Sequence, residues 1–317
     1  MPTDLTAVTK AGIPATFGNV LSIAHSAGMQ SSFPLLLKNY KFSEVRFFGR
    51  IFGKAKDYLV AVGIEHTWLG EKKFFFWCAP QHPRRGRIRL VSAYSLHLLS
   101  PAICSLPARA GDSRYSDQDG VSWAQLPTPT AADQANCAKL PNMLLTGDPS
   151  SQTTGISLLS LWRASEDEPA QATVDEVLRL AVIVQTIDYE AAMAPVGSLS
   201  MSATGSVVAN PSFTGIDKAT AMNASGYVFV NKAKPKDALA SSAKKVMLVS
   251  LDFLVSCDDF VPKGALCCGF DDASSVVTVR NLVWPGFLAY TMPGLAYWGY
   301  CYFGTGEKNV DIAFMLH

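Results

Sequence analysis

The chain is 317 residues long, and its 27 Lys and Arg against 26 Asp and Glu leave a net charge of +1. Hydrophobic residues make up 49% and charged residues only 17%, against roughly 25% charged in an average soluble domain. This excludes wholesale disorder and, without a basic excess, a generic polyanion binder, because phosphate affinity is built from clustered Lys and Arg. The length fits one large domain or two coupled ones. So apolar a chain with so few solubilising charges points to a surface partly covered by partners, as in an obligate subunit.

Met1-Pro2-Thr3-Asp4-Leu5 carries neither the basic stretch nor the apolar run of a secretory signal. A strongly hydrophobic run, Val177 to Val184, is interrupted by Arg179 and followed by Asp188-Tyr189-Glu190. It falls far short of the roughly 20 residues that cross a bilayer. The seven cysteines form an odd set without regular spacing, which, with no signal, predicts reduced thiols in a soluble cytosolic protein.

Residues 1 to about 30, rich in Ala, Gly, Ser and Thr, read as a tail or one short helix. Ser31-Ser32-Phe33-Pro34 reads as a helix start with a Ser cap and Pro in the first turn, and Leu35, Leu36 and Leu37 as its buried side. Val45 to Gly53 and Asp57 to Gly63 predict a β-hairpin across Lys54-Ala55-Lys56, with Phe74 to Trp77 a third strand. From about 80 to 118 the pattern dissolves into a basic stretch with Arg84, Arg85, Arg87 and Arg89, predicted as a surface insertion.

A short helix is predicted at about 131–138, a turn at Gly147-Asp148-Pro149 and an acidic loop at Glu166 to Pro169. The clearest helix runs from about Val174 to Met193, with Thr173 as cap and Glu176 three residues on, and it is apolar on more than one face. Another short helix is predicted at about 216–225, a strand at Tyr227 to Val230 and an exposed basic turn at Lys232 to Lys236. Beyond Gly264 the strands Val276 to Val279, Leu282 to Trp284 and Tyr297 to Phe303 follow, divided by Gly and Pro. Helices and strands in separate blocks predict an α+β fold: a mostly antiparallel sheet with a few helices and an N-terminal helical segment.

Catalytic signals are sparse. Gly304-Thr305-Gly306-Glu307-Lys308 departs from a phosphate loop, since Glu307 separates Gly306 from Lys308 and no Ser or Thr follows. Cys267 and Cys268, adjacent on a strand, would point to opposite faces. Cys78 and His82 lack the second pair of a zinc site, and no G-x-S-x-G elbow is present. No catalytic residue, cofactor-binding residue or metal ligand is assigned, and no cofactor is expected. The runner-up reading is a cytosolic enzyme with a composite site that a linear sequence hides.

Leu282-Val283-Trp284-Pro285-Gly286 and Tyr300-Cys301-Tyr302-Phe303-Gly304-Thr305-Gly306-Glu307-Lys308-Asn309 resemble the end of the radial spoke head protein 9 family. Ser250-Leu251-Asp252-Phe253, Val261-Pro262-Lys263-Gly264, the early hairpin from Phe47 to Tyr58, the Gly147 turn and the helix through Ile187-Asp188 fit it in order. The resemblance spans most of 31–317, taken as one domain, while the segment before about 30 matches poorly and the stretch at 80–118 has no counterpart. It implies a non-enzymatic subunit of the radial spoke head in the axoneme of motile cilia and flagella, where spokes relay signals between the central pair and the dynein arms. The partners it implies are head subunits of the protein 4/6 family, spoke stalk proteins and central pair projections, with no nucleic acid and no membrane. Candidate interface residues are Trp284, Pro285, Gly286, Tyr300, Tyr302, Glu307 and Lys308, with Arg84 and Arg85 in the insertion. Trp284, Tyr300 and Tyr302 are read as core first and interface second.

Overall fold

The computed structural model describes residues 21–67, 70–78, 122–138, 140, 144–155, 172–202, 207–233, 253–260 and 262–315. The predicted insertion at about 80–118, the acidic loop at Glu166 to Pro169 and most of the tail lie outside these residues.

Helix α1 spans Ile23–Tyr40. The Ser22 hydroxyl caps it by accepting the His25 backbone N–H at 3.0 Å, and Lys41 ends it in the left-handed region at φ 57°. The predicted start at Ser31-Pro34 therefore falls inside the helix. Its buried positions, His25, Met29, Ser32, Phe33 and Leu36, recur every three or four residues, so one apolar stripe carries the helix through Pro34, which lies exposed on the opposite side. Of the predicted Leu trio only Leu36 is buried; Leu35 and Leu37 are exposed.

Strands β1 (Glu44–Ile51), β2 (Tyr58–Thr67) and β3 (Gly70–Cys78) form the predicted antiparallel hairpin and third strand, and the short β4 (Ala124–Gln125) lies along β3. Asp57 closes the β1–β2 turn, accepting Arg50 Nε at 2.9 Å and the Gly53 N–H at 3.1 Å. Helix α2 (Ala131–Ala138) lies where it is predicted. Thr130 and Asp133 exchange reciprocal side-chain-to-backbone bonds at its start, the capping-box device.

A ribbon of β5 (Gln152–Gly155) and β6 (Ala172–Asp175) leads into helix α3 (Glu176–Ala191). Thr173 and Val174 thus belong to a strand rather than to the predicted helix, because 172–175 pair with 152–155; Asp175 precedes the helix and Thr173 does not cap it. Strand β7 (Met193–Pro195) follows directly, then the pair β8 (Leu199–Met201) and β9 (Val207–Ala209). Helix α4 (Lys218–Ala221), a 3₁₀ turn at Ala224–Gly226 and strands β10 (Tyr227–Ala233) and β11 (Leu254–Ser256) complete a three-stranded sheet, β11-β10-β7. Lys232, placed by sequence in an exposed turn, sits in β10 with Nζ 4.2 Å from the Phe229 ring centre.

The last strands are β12 (Leu266–Asp271), β13 (Val276–Asn281), β14 (Phe287–Thr291) and β15 (Trp298–Gly304), before the short helix α5 (Ile312–Met315). Leu282 to Trp284 form a bend rather than the predicted strand: the Phe287 N–H bonds Trp284 O at 2.9 Å, closing a tight turn over Pro285-Gly286. The main sheet runs β12-β13-β14-β15-β1-β2-β3-β4. Its β15–β1 pair is parallel and its other pairs are antiparallel. The fold is α+β with a mostly antiparallel sheet.

Both faces of this sheet are covered. Phe48, Tyr58, Val60, Tyr300 and Tyr302 point to the face that packs α3, through Leu180, Val184 and Ile187. Their neighbours Phe47, Leu59, Ala61, Cys301 and Phe303 point to the opposite face, which packs α1 through Met29, Phe33 and Leu36. Alternating side chains buried on both sides explain why β2 reads as an unbroken apolar run. They also account for much of the apolar excess without invoking partners.

Candidate functional site

The face carrying α3 concentrates the polar chemistry of the molecule, beginning at the first residue of the helix. Glu176 is fully buried. Its Oε1 accepts the Tyr58 hydroxyl at 2.9 Å and the Gly147 N–H at 2.7 Å. Its Oε2 accepts the Thr146 N–H at 3.0 Å, the Thr146 hydroxyl at 2.7 Å and the Ser151 hydroxyl at 2.9 Å. One carboxylate thus ties the Gly147 turn to β2 and to the helix N-terminus, whose dipole favours a negative charge. Burial pushes its carboxyl up, but the bonds from Thr146, Gly147 and Tyr58 together outweigh burial, and the acid lies below its ordinary range. Tyr58 moves the other way: burial first, then Glu176, raises its phenol.

About three turns further along α3, Asp188 faces β3 and β15. It accepts Lys73 Nζ at 2.7 and 3.0 Å and the Tyr300 hydroxyl at 2.6 Å, and Lys73 also reaches the Tyr300 oxygen at 3.2 Å. Asn231 Nδ2 bonds the Asp188 carbonyl at 2.6 Å, adding β10 to the cluster. Burial and the neighbouring Asp188 charge hold the Tyr300 phenol well above its ordinary range. Sequence reasoning singled out Tyr300 but missed Glu176's carboxylate role and the Lys73–Asp188 pair. The available signal was a charge inside a strongly apolar run, since such a residue is seldom buried without a partner.

The predicted C-terminal residues come together at the end of α3. Trp284 is 4% exposed and donates Nε1 to Glu190 Oε2 at 3.0 Å. Lys308 Nζ lies 2.7 Å from the same oxygen and 5.9 Å from the Trp284 ring centre. The Asn309 N–H to Val283 O bond (2.8 Å) and the Phe303 N–H to Gly286 O bond (2.9 Å) fasten the C-terminal segment to the turn. Tyr302 is fully buried and accepts the Gly306 N–H at 2.8 Å; burial, offset by that bond and reinforced by Glu307, leaves its phenol pushed up to about 12. The Gly-rich turn is thus occupied by its own chain: Gly306 caps Tyr302, and Lys308 pairs with Glu190 rather than with its neighbour Glu307. Pro285 and Gly286 hold the second and third positions of the turn. Gly286 has φ 99°, and a Cβ there would stand 2.1 Å from Phe303 O. Gly286→Ala is therefore expected to destabilise the fold by about 2 kcal/mol or more through strain and this clash, read as a fall in the thermal unfolding midpoint. Arg84 and Arg85 lie outside the described residues.

Between α2, α3 and residues 305–310 lies a cleft of about 940 Å³, lined among others by Gln134, Arg179, Tyr189, Trp284, Glu307 and Lys308. Gln134 Nε2 reaches Gln185 Oε1 across it at 3.4 Å. Burial raises the Cys137 thiol in its wall, the opposite of nucleophile activation. Among the described residues no group of three or more His, Cys, Asp or Glu side chains could hold a metal ion, and no helix is long and apolar enough to cross a membrane.

The chain is similar along nearly its whole length to proteins named as radial spoke head protein 9 homologues. The match to the Danio rerio protein is 29% identical over 309 residues, covering 96% of both chains. Those to the Mus musculus and Bos taurus proteins are 28% and 26% identical over 301 residues, covering 94% of each chain in both cases. No protein-family model matches the chain.

Proposed function

We propose that this relative of the radial spoke head protein 9 homologues is a structural, non-catalytic subunit of the radial spoke head in the axoneme of motile cilia and flagella. The observation that carries the reading is similarity spread over 94–96% of both partners in each comparison, as expected of a whole protein shared rather than of one grafted site. Its neighbours in that assembly are head subunits of the protein 4/6 family, with stalk proteins and central pair projections beyond them. Its work is mechanical: a two-faced sheet clamped by α1 and α3 transmits force without yielding. The chemistry agrees, since burial moves the Cys137 thiol and the Tyr300 and Tyr302 phenols away from neutrality, whereas proton-transfer catalysts are tuned toward it.

A tagged chain expressed in ciliated cells is expected to remain with axonemes after detergent extraction, and its deletion to impair motility. A wholly extractable pool together with normal beating in the deletion would sink the reading. Lys308→Ala separates fold from interface. The Lys308–Glu190 pair is 43% and 30% exposed, so its loss is expected to change stability by about 0–1 kcal/mol in a urea titration. Loss of axonemal retention with that small stability change would place Lys308 at an interface.

A further inference from the structure

The main sheet ends on β12, and among the described residues no strand lies on its outer side. Which backbone groups face outward follows from two bonds: Ala265 O accepts the Leu282 N–H at 2.8 Å, and Gly269 O accepts the Thr278 hydroxyl at 3.3 Å. Cys267, Gly269 and Asp271 therefore point their amides and carbonyls at β13, as Ala265 does its carbonyl while its N–H bonds Pro262 O at 3.3 Å, whereas the amides and carbonyls of Leu266, Cys268 and Phe270 point out of the sheet. Natural edges are guarded by bulges, prolines or charges. Here the register with β13 runs unbroken from Leu266 to Asp271; the strand carries no proline, and its charges are confined to one end, in Asp271 and in Lys218, whose Nζ lies 3.4 Å from the Phe270 ring centre. Leu266, Cys268 and Phe270 keep part of their apolar surface exposed.

We infer that β12 is a homotypic edge, which pairs antiparallel with β12 of a second copy of this chain about a two-fold axis through Cys268. The occupant is a second copy because the edge is self-complementary in this register. Cys268 lies opposite Cys268, Leu266 opposite Phe270 of the other copy on the core-side face, and Cys267 opposite Gly269 on the other face. No charges meet along Leu266 to Phe270, and Asp271 comes opposite Ala265 of the other copy. The aliphatic–aromatic cross-strand pair occurs twice, as an isologous interface requires. Six residues a side make a small contact, and small interfaces are weak, so the pairing is a concentration-dependent monomer–dimer equilibrium. It is a property of the isolated chain and does not depend on the proposed axonemal role.

The test is light scattering or sedimentation of the purified full chain across a wide concentration range. The expected result is a dimer that grows with concentration and is lost in Cys268→Pro, which removes an outward amide at an edge where proline is tolerated, with circular dichroism unchanged. Gly269→Cys provides a second readout that does not depend on the proline variant folding. A Cβ at 269 meets only Thr278 Oγ1, at 3.8 Å, so the fold accepts it, and the new thiol faces Cys267 of the other copy. Mild oxidation is expected to give a covalent dimer that Cys267→Ser abolishes. A chain that stays monomeric at every concentration overturns the inference. So does a dimer that survives Cys268→Pro and fails to cross-link through 267 and 269, which would place the contact elsewhere.

Discussion

Glu176→Ala is expected to be among the most destabilising single substitutions in this protein, lowering stability by about 3 kcal/mol or more. The carboxylate accepts five hydrogen bonds, and each buried donor left without an acceptor costs about 1–3 kcal/mol. Tyr58 and Gly147 are the most buried of these donors, so water cannot readily replace the lost acceptor for them. Glu176→Gln is expected to do less damage, because its amide keeps one acceptor oxygen but turns donors toward donors. Urea unfolding at neutral pH measures both, with an unchanged m-value marking a true loss of stability.

The same carboxylate sets an acid limit. Its folded pKa lies below its ordinary value, so the folded state holds its proton less tightly than the unfolded chain does. Its contribution is fully present above the unfolded value of about 4.3 and is lost as pH falls through the lower folded value. Wild type should therefore lose stability more steeply than Glu176→Gln as pH falls below the unfolded value of about 4.3, because the variant lacks the titrating group. Parallel pH profiles for the two proteins would contradict this account of the turn.

The same residues show where sequence reading succeeds and where it stops. Local signals suffice for the β1–β2 hairpin, because aromatic runs around a polar turn act over a few residues; α2 also lies where it is predicted, although the Thr130–Asp133 pair that caps it plays no part in that prediction. They misplaced the start of α1, where Pro34 looked like a first-turn proline although an apolar stripe already ran through it from His25. They also assigned Glu176 to a capping box with Thr173, although Thr173 is held in β6 by Thr154 and Glu176 serves a turn some 30 residues away. Trp284 and Lys308 were legible as candidates, yet Glu190, the group joining them, lies 94 residues before Trp284. The apolar composition points to covered surface, and the sheet buried on both faces supplies an internal reason for much of it.

Asp188→Ala is the counterpart at the other end of α3, and it is expected to cost about 3–5 kcal/mol, the range for breaking a buried ion pair from one side. Lys73 and Asp188 are only 18% and 10% exposed, so the stranded ammonium cannot recover its hydration without opening the contact between β3 and α3. The Tyr300 hydroxyl loses its acceptor in the same step. If desolvation of Lys73 is the dominant penalty, removing both charges should cost less than removing one: Lys73→Met with Asp188→Leu is expected to recover most of the loss, and Tyr300→Phe in that background to be nearly neutral. A double substitution as unstable as Asp188→Ala would instead assign the cluster's value to geometry, with the pair and Tyr300 acting as the clamp that sets α3 against the sheet. Either result bears on the proposed mechanical role. A charge-neutral variant that folds stably and is still retained in extracted axonemes would show that the scaffold needs the position of α3 and not the ions that hold it.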